Sequence, residues 1–205
     1  MNAREHWDGV YGRNSAASVS WFAPHLSESL RYVRAAAPTR SSSIIDVGGG
    51  ESTLVDDLLN EGYTNLTVLD ISEKALNVTR ERLGAFSKYV AWRAQDILES
   101  ELPANAYDVW HDRAVFHFLT ESDQRRRYVE NVRRAVRPNG FVIVGTFGPE
   151  GPQRCSDLPV ARYDPEGLHR EFGYSFELVR DSVELHHTPR GGEQQFVYCL
   201  CRRVP

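Results

Sequence analysis

Three consecutive glycines close an apolar run in "IIDVGGGESTLVDDLLNEGYTNLTVLDIS", Ile44 to Ser72, and a second apolar run ends on Asp70. "SSSIIDVG" and "LTVLDIS" are short, β-branched and ended by turn residues, so each predicts a strand. Between them "STLVDDLLNEG" has helical spacing and a glycine stop at Gly62. A strand, helix and strand in succession build a parallel pair with a helical crossover. Glycines at the carboxyl end of the first strand let the backbone approach a ligand closely, and the following helix offers unpaired N–H groups. Asp70 lies 24 positions after Asp46, where an acidic residue in such folds accepts hydrogen bonds from ribose hydroxyls. The floor of Gly48, Gly49 and Gly50, together with Asp70, therefore predicts a nucleoside cofactor. A dinucleotide fingerprint needs glycine where Thr53 stands, so a cofactor without phosphates fits better than a nicotinamide dinucleotide.

The alternation continues along the chain. "EKALNVTRERLGAF" predicts a helix, "KYVAWRAQD" and "AYDVWHD" predict strands, and "ESDQRRRYVENVRRAVRPNG" predicts an amphipathic helix stopped by Pro138 and Gly140. "FVIVGTF" is a fully apolar strand, as expected inside a parallel sheet. The tail departs from the pattern: "FELVRDSVELHHTP" and "EQQFVYCLCRR", separated by "RGG", predict an antiparallel hairpin on the sheet edge. The result is an α/β domain, a three-layer α/β/α sandwich with a mostly parallel sheet. "LSESLRYVRAAAP" predicts a helix before the first strand, and the aromatic segment "HWDGVYGRNSAASVSWF" precedes it.

With 205 residues, one domain over 1–205 is expected, and a net charge of −4 argues against nucleic acid or an acidic membrane as a partner. The opening residues lack a signal-peptide pattern and no apolar run is long enough to span a bilayer, so the chain is expected in the cytoplasm, as a monomer or homodimer. Cys155, Cys199 and Cys201 form no disulfide framework, and no metal is expected.

"IIDVGGGES", "VLDIS", "RAQDI" and "YDVWHDRAVFHFL" resemble the successive motifs of class I S-adenosylmethionine-dependent methyltransferases. The resemblance runs from about Ile44 to Phe147 and implies a Rossmann-like sheet of seven strands whose terminal hairpin is the family's edge. It implies S-adenosyl-L-methionine as cofactor and S-adenosyl-L-homocysteine as product. Asp46, Gly48, Gly49 and Gly50 match the first motif, against the methionine portion of the cofactor; Glu51 and Ser52 depart from the glycine many members carry there. Asp70 matches the ribose-binding acid, Ile71 the residue on the adenine face, and Asp96 with Ile97 the pair that meets the adenine amino edge. A helix cap is the competing role for Asp96.

By the same resemblance, residues 40–147 form the cofactor core and residues 1–25 an aromatic lid. Trp7, Tyr11, Trp21 and Phe22 are too irregularly spaced for one helix face. Tyr11 and Trp21 are the candidates for cation–π contact with the sulfonium, and Trp7 for contact with substrate. At the tip of the fourth strand His111, Asp112 and His117 are the candidate catalytic residues: either imidazole could act as a base, and Asp112 could touch cofactor or substrate. Core packing competes as the role of His117. The proline- and glycine-rich loop within 148–170 is expected on the substrate side. Arg113, Phe147, Arg162 and Tyr163 are candidate substrate residues, with Cys155 an idle thiol beside them; pairing with a nearby carboxylate is the stronger competing role for Arg113. The arginine run from Arg125 to Arg137 is expected as a solvated helix face. Residues 175–203 complete the domain as the hairpin.

With no inserted domain, a small-molecule nucleophile with an S, N or O acceptor is the first expectation. Protein lysine is second, because "HWDGVYG" with "SWF" is similar to the W-D-x-x-Y opening of compact protein-lysine methyltransferases. A nicotinamide-dependent oxidoreductase and a non-catalytic cofactor-binding subunit stand behind these two.

Overall fold

The computed structural model describes residues 2–13 and 15–205. Helices α1 (Ala3–Arg13) and α2 (Ser27–Ala36) precede strand β1 (Ile44–Val47). There follow α3 (Leu54–Asn60), β2 (Leu66–Asp70), α4 (Glu73–Leu83), β3 (Val90–Ala94), β4 (Tyr107–Arg113), α5 (Ser122–Ala135) and β5 (Val136–Phe147). A small hairpin of β6 (Arg154–Cys155) and β7 (Leu158–Pro159) and helix α6 (Pro165–Phe172) lead to β8 (Phe176–His187) and β9 (Glu193–Arg203). The main sheet has seven strands in the order β3-β2-β1-β4-β5-β9-β8. Its first five strands are parallel, and β9 is antiparallel to both β5 and β8. The strand order reverses between β1 and β4, the crevice where open α/β sheets bind ligands.

The sheet is covered on both faces, which is why its central strands lack polar alternation. Ile44 joins the core under α2 and α3, and Ile45 and Val47 join the core under α5 and α6. Among the described residues, no helix is long and apolar enough to cross a membrane. Cys199 and Cys201 face the same core and are unpaired.

Residues 3–13 of the N-terminal region form helix α1, where Trp7 and Tyr11, four apart, share a face; Trp21 and Phe22 lie beyond it, so the four aromatics do not share one helix face. Two local expectations are corrected. Helix α5 ends at Ala135, earlier than Pro138: proline biases Arg137 away from helical geometry, and Val136 already pairs with Tyr107 in the sheet. The loop after β5 is not wholly irregular, since Arg154 and Cys155 pair with Pro159 and Leu158.

At the end of the sheet opposite the glycines, Asp108 accepts the Ser43 N–H at 2.7 Å and pairs with Arg137 Nε at 2.6 Å, joining β4, β5 and the entry to β1. Asp108→Ala leaves the Ser43 donor unpaired and should cost about 1–3 kcal/mol of stability. Urea unfolding checks this, and ligand binding at the opposite end should be unchanged.

Candidate active site

The glycine loop follows β1. Gly48 and Gly50 adopt positive φ (71° and 28°), the region open to glycine. A Cβ on Gly48 would lie 2.0 Å from Val115 Cγ2, and one on Gly50 would lie 2.8 Å from Asp70 Oδ2 and 3.0 Å from the Tyr11 hydroxyl. The bare backbone therefore lets the ends of β1 and β2 and helix α1 converge. Helix α1 is seated by Asp8, whose carboxylate accepts the Ser72 hydroxyl at 2.6 Å, while Ser72 caps α4 by accepting from Ala75 N–H.

Above this floor lies a cleft of about 260 Å³. Asp70, Ile71, Asp96 and Ile97 line one end; Trp7, Tyr11, Trp21, Gly48, Arg113 and Phe118 line the other, with Cys155 and Leu158 from the small hairpin. Trp7, Tyr11 and Trp21 have ring centroids 6.0–6.4 Å apart, and Phe118 stands 5.0 Å from Trp7. Asp70 is 4% exposed and accepts the Ser72 N–H at 2.8 Å. Burial pushes its carboxyl up to about 7, helped by the negative charges of Asp46 and Asp8 and opposed by the Ser72 N–H. Burial, with Asp70 close by, lifts the Tyr11 hydroxyl well above the ordinary phenol range, so Tyr11 remains a donor.

A narrow recess of about 40 Å³ opens from the cleft past Tyr11, Trp21, Gly48 and Arg113, and Asp46, Gly49 and Glu51 line its far side. Asp46 Oδ2 and Glu51 Oε2 are buried without hydrogen-bond partners, and Arg113 Nη2 has no hydrogen bond but pairs with Glu184 Oε2 at 3.8 Å. Buried polar atoms are rarely left unpaired. Two carboxylates and a guanidinium around one recess match the ammonium and carboxylate of an amino acid, while Asp70 with its apolar flanks matches a nucleoside.

Of the candidate catalytic residues, His111 lines the recess, while Asp112 and His117 line neither the recess nor the cleft. His111 is 1% exposed; its Nδ1 meets Asp46 Oδ1 at 2.7 Å and its Nε2 meets Ser29 Oγ at 2.9 Å, so both nitrogens are engaged. Asp112 points to the opposite face of the sheet, where it accepts from Val115 N–H, Phe116 N–H and the Tyr128 hydroxyl; Tyr128 in turn accepts from Trp110 Nε1. Burial pushes the Asp112 carboxyl up to about 6 against these bonds. Asp112 caps the turn after β4 and lines neither the cleft nor the recess. His117 is fully buried against Phe118 and Phe147, with Nδ1 accepting the Phe147 N–H, and burial together with the Arg113 charge pulls it down to about 3. None of the three is poised as a base in the cleft.

The substrate candidates separate in the same way. Trp7 and Arg113 line the cleft. Phe147 is fully buried in the core, Tyr163 packs on Phe116, and Arg162 is held by the carbonyls of Pro149 and Gly151 beside a different surface hollow. Alternation along β5 and the turn after it direct these three away. The sequence reading missed Asp8, Gln95, Val115, Phe118, Leu119 and Gln124, although Phe118 and Leu119 stand in the quoted "FHFL" run. Among the described residues, no group of three or more His, Cys, Asp and Glu is placed to hold a metal ion.

A family model described as a methyltransferase domain matches residues 45–142. EEF1A lysine methyltransferase 2 of Danio rerio is 26% identical over 195 residues, spanning 88% of this chain and 78% of the relative. The protein-lysine N-methyltransferase efm4 of Schizosaccharomyces pombe is 27% identical over 181 residues, spanning 70% and 74%. The N-methyltransferase NodS of Bradyrhizobium japonicum WM9, solved with S-adenosyl-L-homocysteine, shares the fold over 100% of both chains, with a TM-score of 0.73 at 14% identity.

Because the folded pKa of His117 is depressed, the unfolded chain takes up the extra proton and stability is lost as pH falls from about 6.5 toward 3. His117→Phe removes this loss. The stability advantage of the wild type over the variant should fall by about 1.4 kcal/mol per pH unit between about pH 6 and 4, in urea titrations at each pH. A constant difference would mean an imidazole that titrates in solvent.

Proposed function

The chain belongs to the class I S-adenosylmethionine-dependent methyltransferases, and on that premise we propose that it methylates the side-chain amine of a lysine in a protein. The likeness to EEF1A lysine methyltransferase 2 over most of this chain carries the reading. It moves protein lysine ahead of the small-molecule acceptor first expected from the sequence, and makes EEF1A or its counterpart the first acceptor to test.

The cofactor supplies an electrophilic methyl group on a sulfonium when bound. The residues around the cleft suit it: Asp70 as acceptor for the ribose hydroxyls, Ile71 and Ile97 as apolar flanks, Asp96 at the adenine edge. Asp46 and Glu51, each with one carboxylate oxygen lacking a hydrogen bond, and Arg113 line the recess that would take the amino-acid end. The acceptor amine would enter among Trp7, Tyr11, Trp21 and Phe118, whose faces accommodate an aliphatic stem and attract nitrogen that carries or gains positive charge. The amine must be neutral when it attacks, since its lone pair makes the new bond to the methyl carbon. Closing aromatics over the cleft excludes water and holds the amine in line.

Only the ionised Asp70 accepts both hydroxyls, and burial raises its carboxyl to about 7, so affinity for S-adenosylhomocysteine should rise from about pH 6 to 8 and level off above. Calorimetry checks this. Asp70→Asn should bind about 1–3 kcal/mol more weakly at the upper pH and lose the pH dependence, whereas a flat wild-type profile would remove Asp70 from the site. For the acceptor, purified EEF1A incubated with the chain and labelled methyl donor should take label on a lysine, located by mass spectrometry. Transfer confined to small thiols or amines would instead reinstate the small-molecule reading.

A further inference from the structure

A second hollow of about 200 Å³ lies on the far side of Trp21 from the cofactor floor. Ser18, Ser20 and Trp21 form one wall, Ser156 of the β6–β7 turn another, and Thr188 with Arg190 of the β8–β9 turn the third. With Val10 of α1, four separate stretches of chain thus meet there, and Trp21 lines both the hollow and the cleft. The wall is fixed from below: Ser20 O accepts from His186 Nε2 at 2.8 Å, Ser20 Oγ accepts from Gln194 Nε2 at 3.2 Å, and Trp21 O accepts from Arg113 Nη1 at 3.1 Å. Ser156 and Asp157, the two loop residues of the β6–β7 hairpin, both have positive φ (48° and 63°), the type I′ pattern that closes a two-residue hairpin. Arg190 is exposed and, unlike His187 with Glu193, has no acidic partner among the described residues.

We propose that this hollow is the docking groove for the acceptor polypeptide, holding the extended residues that flank the target lysine and placing a carboxylate of that segment on Arg190. The proposal rests on the lysine reading above. The Ser20 hydroxyl, which accepts from Gln194 Nε2, and the Thr188 hydroxyl, which accepts from Gly192 N–H, each keep a proton to donate to a peptide carbonyl, beside the apolar Val10, Val19 and Trp21. Trp21 is the wall shared with the cleft, so a segment lying in the groove would pass its lysine over that ring. The unpaired guanidinium selects an acidic flank over a basic one.

The test is steady-state methylation of purified EEF1A at saturating donor. Arg190→Glu should raise the acceptor KM about fivefold, the scale for an exposed charge at an interface rim, with kcat and the calorimetric affinity for S-adenosylhomocysteine unchanged. Arg190→Lys should stay near the wild type. The wild-type KM should rise with salt more steeply than that of Arg190→Glu. If the wild type methylates EEF1A and Arg190→Glu has the same KM, the groove is overturned while the lysine reading stands. If the wild type transfers nothing to EEF1A, the lysine reading fails and the groove assignment falls with it.

Discussion

A buried chain of hydrogen bonds carries the geometry of the site. Arg113 Nε donates to the Tyr198 hydroxyl at 2.9 Å, Tyr198 and Ser29 meet at 3.2 Å, Ser29 and His111 Nε2 at 2.9 Å, and His111 Nδ1 and Asp46 at 2.7 Å. With a neutral imidazole every donor has one acceptor: Tyr198 donates to Ser29, Ser29 to His111, and His111 to Asp46. The chain begins on a guanidinium and ends on a carboxylate, the sense in which each bond polarises the next favourably. It joins β4, β9, α2 and β1, so the hairpin, helix α2 and the glycine strand are set relative to one another. A second Arg113 nitrogen bonds the Trp21 carbonyl, extending the same control to the aromatic wall.

The tip of β4 shows how face selection sorts chemistry. His111 and Arg113 turn toward α2 and the recess, whereas Asp112 between them turns toward α5 and Tyr128. Three ionisable residues in a row thus become a network member, a cap and a cleft residue without any change in type. Burial drives Asp70 and Asp112 upward and His117 downward, the same desolvation acting on groups of opposite charge. What distinguishes Asp70 is access, since it lines the cleft while the other two are enclosed by protein.

Period and punctuation made the strands and most helices legible. Alternating strand and helix patterns predicted the sheet, and the glycines with Asp70 located its ligand-binding end, because both signals are local in sequence. The errors arose where a residue's environment is set by distant chain. No local pattern reveals that Ser29 and Asp46 would occupy both nitrogens of His111, or that Phe147 would sink into the core under His117. The substrate loop was similarly opaque: Cys155 and Leu158 reach the cleft because they sit on a tight hairpin, while Arg162 and Tyr163, a few residues on, lead into α6.

The glycine loop has more than one reason to be bare. From sequence, its purpose is the close approach of a ligand. In the fold, a methyl group at Gly48 would collide with Val115 on the turn after β4, and one at Gly50 would crowd both Asp70 and Tyr11. Gly49 is confined as tightly, since a Cβ there would lie 2.6 Å from Val68 Cγ1 and 2.7 Å from Asp46 Oδ2. The protein's own elements fill the space before any ligand arrives. The three glycines allow the Asp70 carboxylate, Tyr11 and the turn after β4 to crowd one strand end, and that crowding gives the cleft its walls. Ligand approach and internal packing therefore impose the same requirement on the same backbone, and a substitution there would disturb both together.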